Sequence, residues 1–235
     1  MDKHLEQVGQ SYDKAIDYGS KGIDLYQNLP DHIINDPDYL FYQKCESDSS
    51  FSDSGRKEIF EFLKPQTGML FVDLGCCLNL MFRGYDTWPS TYYGVDISNK
   101  TIQLLKHFVS SENSTVGALH NGSIHETPFA EAQFDIGACI GVLEYFDRDF
   151  VEKALKEMSR IMKPEGRLVI DVPDLGSPEC RIAMMIEAHL ERPDNYNLSV
   201  EEFEKLLHPH FIIERKEKVG PMIQYFLRCE GQNLR

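Results

Sequence analysis

The stretch 70-LFVDLGCCLNLMF-82 decides the fold. Residues 69-MLFVD-73 run apolar up to an acid, the pattern of a buried strand, and Gly75 opens the turn behind it. A glycine-rich nucleotide loop would place further glycines at 77 and 79. This chain has Cys77 and Asn79 there. The stretch alone is therefore open between a cofactor loop with two glycines replaced and a plain strand-to-helix turn.

Outward from it, strands and helices alternate. Residues 56–63 suit a short helix, and Lys64 to Gly68 a turn into the strand. Further strands are expected at 92–96, 116–120, 134–140 and 167–172, with helices at 98–108, 148–162, about 179–191 and 199–207. Lys163-Pro164-Glu165-Gly166 reads as a turn. The final strands, 211–219 and 222–229, are joined by Gly220-Pro221 and form an antiparallel pair. Such alternation predicts an α/β fold with a mostly parallel sheet covered by helices on both faces. Ligands of these sheets bind outside the carboxyl ends of the strands. The informative positions are thus Asp73, Asp96, the 121–124 turn, Cys139 to Tyr145, and Val172 to Asp174.

The bulk composition narrows the partners. The 235 residues carry 38 acids against 24 Lys and Arg, a net charge of −14. That balance argues against a nucleic-acid partner, which needs clustered cations. The start, MDKHLEQVGQ, is polar, and no run of 18 apolar residues occurs, so a cytoplasmic protein with no membrane partner is expected. The six cysteines form no C-x-x-C, and no histidine pair has zinc spacing, so no metal is expected. The Ser/Asp-rich stretch 46-ESDSSFSDSG-55 reads as a loop. It divides an N-terminal helical appendage or lid, 1–54, from a main domain, 55–235.

Three strand ends agree with one another. VDLG at 72–75 places an acid at a strand end and a glycine in the turn. In 94-GVDIS-98, Asp96 falls 23 residues after Asp73, a spacing that favours accepting both hydroxyls of a ribose, and capping of the next helix does not exclude that role. The third is 121-NGSIHETPFAEAQFDIGACIGVLEYF-146. Together with 162-MKPEGRLVI-170, these motifs resemble the class I S-adenosylmethionine-dependent methyltransferases, in the style of the small-molecule enzymes of quinone biosynthesis. The resemblance covers about residues 56–230. It implies a Rossmann-like seven-stranded sheet with an antiparallel last strand.

The resemblance also implies roles. Gly75 and Cys76 would pass the methionine end of S-adenosylmethionine, and Asp73 would support that loop or reach the amino group through water. Asp96 would hold the ribose hydroxyls and Ile97 would lie against the adenine. Ser123 and Ile124 would flank the adenine edge, Cys139 and Ile140 would face the sulfonium, and Leu143 to Tyr145 would wall cofactor from acceptor. Two positions depart from the family pattern. Cys77 and Asn79 replace loop glycines; Asn tolerates a left-handed backbone, whereas a Cβ at Cys77 would cost about 1 kcal/mol or more there. Ser123 stands where an acid often receives the adenine amino group.

Methyl transfer needs orientation and exclusion of water more than a fixed set of catalytic groups. Candidates on the acceptor side are Tyr145, Asp174, Tyr12 and Tyr18, with Arg181 as a receiver of an acceptor carboxylate. The segment 174–210 is expected to form part of the acceptor pocket. No Asn-Pro-Pro-Tyr-like motif follows the fourth strand, which disfavours nucleic-acid bases. The expected function is methyl transfer to a small-molecule acceptor. The alternative is a non-catalytic binding protein of the same fold with an altered loop.

Overall fold

The computed structural model describes residues 3–47, 56–111, 115–192 and 194–230. Three N-terminal helices, α1 (Lys3–Gly19), α2 (Asp31–Ile34) and α3 (Tyr39–Ser47), precede the main body. From residue 48 onward the expected loop at 46–55 lies outside the described residues, as does the boundary at 54/55; residues 46 and 47 close α3 instead.

The main body runs α4 (Lys57–Leu63), β1 (Leu70–Leu74), α5 (Asn79–Phe82), β2 (Thr91–Asp96), α6 (Asn99–Ser111), β3 (Val116–Asn121) and β4 (Phe134–Cys139). It continues with α7 (Arg148–Ile161), β5 (Met162–Pro173), α8 (Pro178–His189), α9 (Val200–Leu207), β6 (Phe211–Val219) and β7 (Met222–Cys229). The sheet order is β3-β2-β1-β4-β5-β7-β6. Neighbours pair in parallel from β3 across to β5, and β7 runs antiparallel to both β5 and β6. This is the seven-stranded, mostly parallel α/β sheet expected from the sequence.

Both faces of the sheet are buried, which explains why its central strands read as unbroken apolar runs. On one face Val72, Leu74, Phe134 and Leu168 pack with Val151, Leu155 and Met158 of α7. On the other, Phe71, Tyr92, Ile136 and Val169 pack with Ile59, Leu63, Ile102 and Leu105. Helix ends are closed by side chains: Asp147 accepts from Phe150 N, Ser177 accepts from Cys180 N, and Ser199 and Glu202 form a capping box.

One local expectation fails. Lys163 to Gly166 is part of the irregular start of β5 rather than a separate turn. Glu165 takes φ 65°, and the pairing with β4 shifts register between Phe134 and Ile136. A bulge absorbs the turn chemistry without interrupting the strand.

Strand order reverses between β1 and β4, so a crevice opens at their carboxyl ends. Helix α1 covers that crevice. Gly9 packs on Ile97, where a Cβ would stand 3.5 Å from the Ile97 carbonyl oxygen. The Ser98 hydroxyl donates to Asp13 Oδ1 at 2.6 Å, the Lys100 amide donates to the same oxygen at 3.3 Å, and Lys100 pairs with Asp17. An acid supplied by α1 thus sits on the first turn of α6, where the helix dipole favours it. Beyond it, α3 and α2 lie on α8: Ile33, Tyr42, Ile182 and Ile186 form a third buried cluster.

Candidate active site

A cavity of about 1050 Å³ fills the crevice. Every parallel strand end reaches it. Gly75 and Cys77 follow β1, Asp96 and Ile97 close β2, Ser123 and Ile124 follow β3, Ile140 to Val142 follow β4, and Asp171 and Pro173 close β5. Helix α1 supplies Val8, Tyr12 and Ile16 as the roof. Glu187 of α8, with Arg192 and Asp194 behind it, completes the far end.

The loop after β1 folds back onto β2. The amides of Gly75 and Cys76 both donate to the Val95 carbonyl, at 2.8 and 2.9 Å. The Cys77 amide then donates to Asp96 Oδ2 at 2.7 Å, while the Ser98 amide donates to Asp96 Oδ1 at 2.8 Å. Asp96 is therefore both the partner of its own helix start and a wall of the cavity. A carboxylate offers about four acceptor sites, so two amides leave room for two hydroxyls. Burial pushes the Asp96 carboxyl up to about 6, the two amides pull it back, and the Asp13 charge adds a smaller upward push.

The backbone here explains the substituted glycines. Gly75 takes φ 76° and Cys77 takes φ 39°, both left-handed, so Cys77 does carry the expected strain. Asn79 does not: it begins α5, and no left-handed angle occurs there. Its amide nitrogen reaches Asp73 at 3.3 and 3.5 Å, and its oxygen accepts from Arg83 Nε at 2.9 Å. Asn79 thus replaces backbone freedom with a side-chain brace. Asp73 is fully buried, accepts from the Tyr92 hydroxyl at 2.9 Å, and does not line the cavity. Its contacts to Asn79 and Tyr92 are those of a residue that supports the loop. Burial lifts it to about 6.

Several expected residues are placed elsewhere. Cys76 and Cys139 are wholly buried and do not line the cavity. Strand alternation turns Cys139 into the core and leaves Ile140, one residue on, at the cavity. Ser123 lines the cavity, with its hydroxyl engaged by His125 Nδ1 at 2.6 Å. Asp174 is turned away, 3.5 Å from Lys218. Tyr18 is also outside, under the Lys21 ammonium. Arg181 is held by Asp36 and Asp38. Asp174 follows β5, Tyr18 lies in the last turn of α1 and Arg181 lies on α8, and none of the three lines the cavity.

Tyr12 and Tyr145 do meet inside. Their hydroxyls are 3.0 Å apart, their rings pack edge to face, and Tyr145 donates to Glu187 Oε2 at 3.1 Å. Around them stand Glu144, within the wall expected at Leu143 to Tyr145, and four residues that the sequence did not single out: Asp171, Glu187, Arg192 and Asp194. Arg192 is 4% exposed, its Nε lies 3.3 Å from Glu187, its Nη2 donates to the Tyr26 hydroxyl at 3.1 Å, and its guanidinium covers the Tyr12 ring. The Asp171 Oδ1 accepts from the Gly141 amide at 2.7 Å. Burial and the neighbouring Asp171 charge hold the Glu144 carboxyl well above its ordinary range. Asp194 is pushed up to about 7, by burial and then by Glu187. Glu187, Arg192 and Asp194 all lie in the segment 174–210 assigned to the pocket, but no local pattern there marks any one of them.

The residues present suit S-adenosylmethionine. Asp96 offers hydroxyl acceptors beside the apolar Ile97 and Ile124, as a nucleoside requires. The faces of Tyr12 and Tyr145 on the same wall suit a cationic sulfonium. No group of three or more potential metal ligands occurs among the described residues. No helix among them is long and apolar enough to cross a membrane.

A parallel sheet with this reversal, an acid ending β2 and a roofed crevice define a Rossmann-like nucleoside-binding enzyme fold. Residues 72–170 match the family model of a methyltransferase domain. An uncharacterized protein of Methanocaldococcus jannaschii is 28% identical over 170 residues, 72% of this chain and 61% of that protein. The uncharacterized methyltransferase YcgJ of Bacillus subtilis is 23% identical over 121 residues, 52% of this chain and 46% of that protein. The chain thus matches less than two thirds of the length of these curated relatives. In fold, it is similar to geranyl diphosphate C-methyltransferase of Streptomyces coelicolor, solved with Mg2+, geranyl diphosphate and S-adenosyl-L-homocysteine. The TM-score is 0.65 at 15% identity, with 97% of this chain and 98% of that one covered. Residues 72–170 thus match a methyltransferase domain, and the strand order and strand-end motifs resemble those of the class I S-adenosylmethionine-dependent methyltransferases.

Proposed function

We propose that this protein transfers a methyl group from S-adenosylmethionine to a small-molecule acceptor by in-line displacement. The observation that carries the reading is Asp96: a buried carboxylate on the cavity wall, oriented by two amides and still able to accept from a ribose. Ile97 and Ile124 lie against the adenine, and the backbone at Gly75 and Gly141 leaves room for the methionine end. When bound, S-adenosylmethionine supplies an activated methyl on a cationic sulfonium. The protein's share is to orient, neutralise and keep water out.

The cavity volume of about 1050 Å³ stands at the upper end for a single small ligand, which supports a second molecule beside the cofactor. The S. coelicolor enzyme, a fold relative, was solved with a small acceptor. In this reading residues 1–54 act as a lid, with α1 over the cofactor, and 174–210 contribute Glu187, Arg192 and Asp194 to the acceptor wall. The Tyr12 and Tyr145 rings provide faces for the sulfonium. The phenols themselves stay neutral, since burial holds both well above their ordinary range.

Calorimetric titration with S-adenosylmethionine and S-adenosylhomocysteine tests the reading. Saturable binding is expected. No heat at millimolar cofactor would sink it, and would favour a scaffold without this ligand.

A further inference from the structure

The cavity's far end has a charge imbalance that the cofactor reading does not use. Four carboxylates line it, Glu144, Asp171, Glu187 and Asp194, against three guanidiniums, Arg56, Arg83 and Arg192, of which Arg83 holds the Asn79 side chain. Glu187 lies against Arg192 at 3.3 Å, and Asp171 takes the Gly141 amide. Arg56, also on the wall, is engaged by Glu58 at 2.6 Å and by Gln224. That leaves Glu144 and Asp194. Glu144 Oε2 and Asp194 Oδ1 are shut off from solvent and accept no hydrogen bond. Buried polar atoms in native proteins are almost always satisfied; the Arg192 Nε, also without a hydrogen bond, already faces Glu187 at 3.3 Å, so the two acceptor orphans mark the place of a further donor. Tyrosine faces stand beside them at Tyr12, Tyr26 and Tyr145. Carboxylates with aromatic faces are the chemistry that recognises an ammonium. An ammonium favours the ionised form of these two carboxyls and gains their charge, whereas an anion would drive them neutral and gain none.

We propose that this end of the cavity is the acceptor subsite and that the acceptor is a protonated amine, held by Glu144 and Asp194 beside the rings of Tyr12 and Tyr145. The proposal rests on the methyltransferase reading and names its substrate class. The amine arrives as R–NH3+ and cannot attack until it loses a proton. That proton passes to the Glu144 carboxylate. The freed nitrogen lone pair forms the bond to the methyl carbon while the carbon–sulfur bond breaks, its electron pair going to sulfur. The product leaves as R–NH2+–CH3, so charge and protons balance. A carboxyl whose proton affinity is lifted by burial receives that proton more readily than one in its ordinary range.

The test is binding, on protein saturated with S-adenosylhomocysteine, whose own ammonium then occupies the cofactor side. Matched probes of one skeleton are titrated: benzylamine, benzyl alcohol and benzoate, and the phenethyl set with one more carbon. The amines are expected to bind at least about tenfold more tightly than the alcohols or carboxylates. Glu144→Gln and Asp194→Asn should each weaken the amines by about tenfold while leaving S-adenosylhomocysteine within about twofold. Equal or tighter binding of an alcohol or carboxylate overturns the proposal, as does no amine binding at millimolar concentration. A Glu144→Gln variant that loses S-adenosylhomocysteine but not the amine also overturns it, by assigning Glu144 to the cofactor's ammonium. The wild-type titration with S-adenosylhomocysteine tests the underlying reading separately, and amine titration without it tests the two carboxylates by themselves.

Discussion

On the sheet side of the cavity, one carboxylate is held by main-chain amides: Asp96 takes Cys77 N at 2.7 Å and Ser98 N at 2.8 Å. On the helical side, side chains hold side chains: Tyr145 to Tyr12 and Glu187, and Glu187 to Arg192. The first wall depends on where the backbone goes, so it can recognise a ligand part that does not vary, such as a nucleoside. The second depends on residue identity, so it can be rewritten without touching the fold. Function of this class divides along the same line, with a common cofactor and a particular acceptor.

The largest break should come at Gly75. Its φ of 76° disfavours any side chain, and an alanine Cβ would stand 2.2 Å from Val142 Cγ2. Strain alone costs about 1–3 kcal/mol, and the clash pushes Val142 toward the cavity. Gly75→Ala should abolish detectable S-adenosylhomocysteine binding and lower the melting temperature by roughly 5 °C or more. Calorimetry and thermal denaturation check both, and unaltered affinity would show that the loop does not shape the site.

Asp96→Ala comes next. Loss of two charge-assisted bonds should weaken the cofactor at least tenfold, on the order of 2–3 kcal/mol. The titration of Asp96 sharpens this. Unliganded, it sits at about 6, above its ordinary 3.8. Hydroxyl donors prefer the ionised carboxylate, so affinity should be full above pH 6 and fall as pH drops through that value. Its slope should approach about tenfold per unit. Asp96→Asn should flatten that profile; a slope that survives in the variant assigns the titration to another group.

Tyr145→Phe probes the other wall. It removes the hydroxyl that joins Tyr12 to Glu187. Stability should fall by about 1 kcal/mol, read by denaturant unfolding, while S-adenosylhomocysteine affinity stays within about twofold. A matching drop in affinity would mean the two walls are one unit.

The same division explains what the sequence could reveal. The sheet wall was legible because each of its residues ends a strand, and strands announce themselves by apolar runs closed by Asp or Gly. Asp96 and Gly75 needed only that position. Cys139 was misplaced by one residue, because which of two neighbours faces the cavity is set by strand alternation at an end where the run is apolar throughout. The helical wall needed contacts across the chain. Glu187 meets Tyr145 over 42 positions and Arg192 meets Tyr26 over 166. No local pattern encodes such partners, so neither Glu187 nor Arg192 stands out in the sequence, whereas Asp174 does by following a strand. Asp171 shows the limit from the other side: it ends a legible strand but is interior to its apolar run, and only the three-dimensional register brings it to Gly141.

Cys77→Gly should have the smallest effect, and its sign is informative. The present φ of 39° costs the cysteine about 1 kcal/mol. Glycine removes that strain but brings more unfolded-state freedom, which takes back roughly 0.5–1 kcal/mol. Stability should therefore hardly move. Affinity is decided differently, because folding to the same backbone has already absorbed the entropy. The Cys77 amide, not its side chain, binds Asp96. The thiol lines the cavity and takes space there. If the loop merely tolerates the cysteine, glycine should tighten S-adenosylhomocysteine by a few fold as that space is released. Weaker binding in a variant of unchanged stability would instead show that the side chain fixes the amide's aim, and that this loop reaches by packing what other loops reach with glycine.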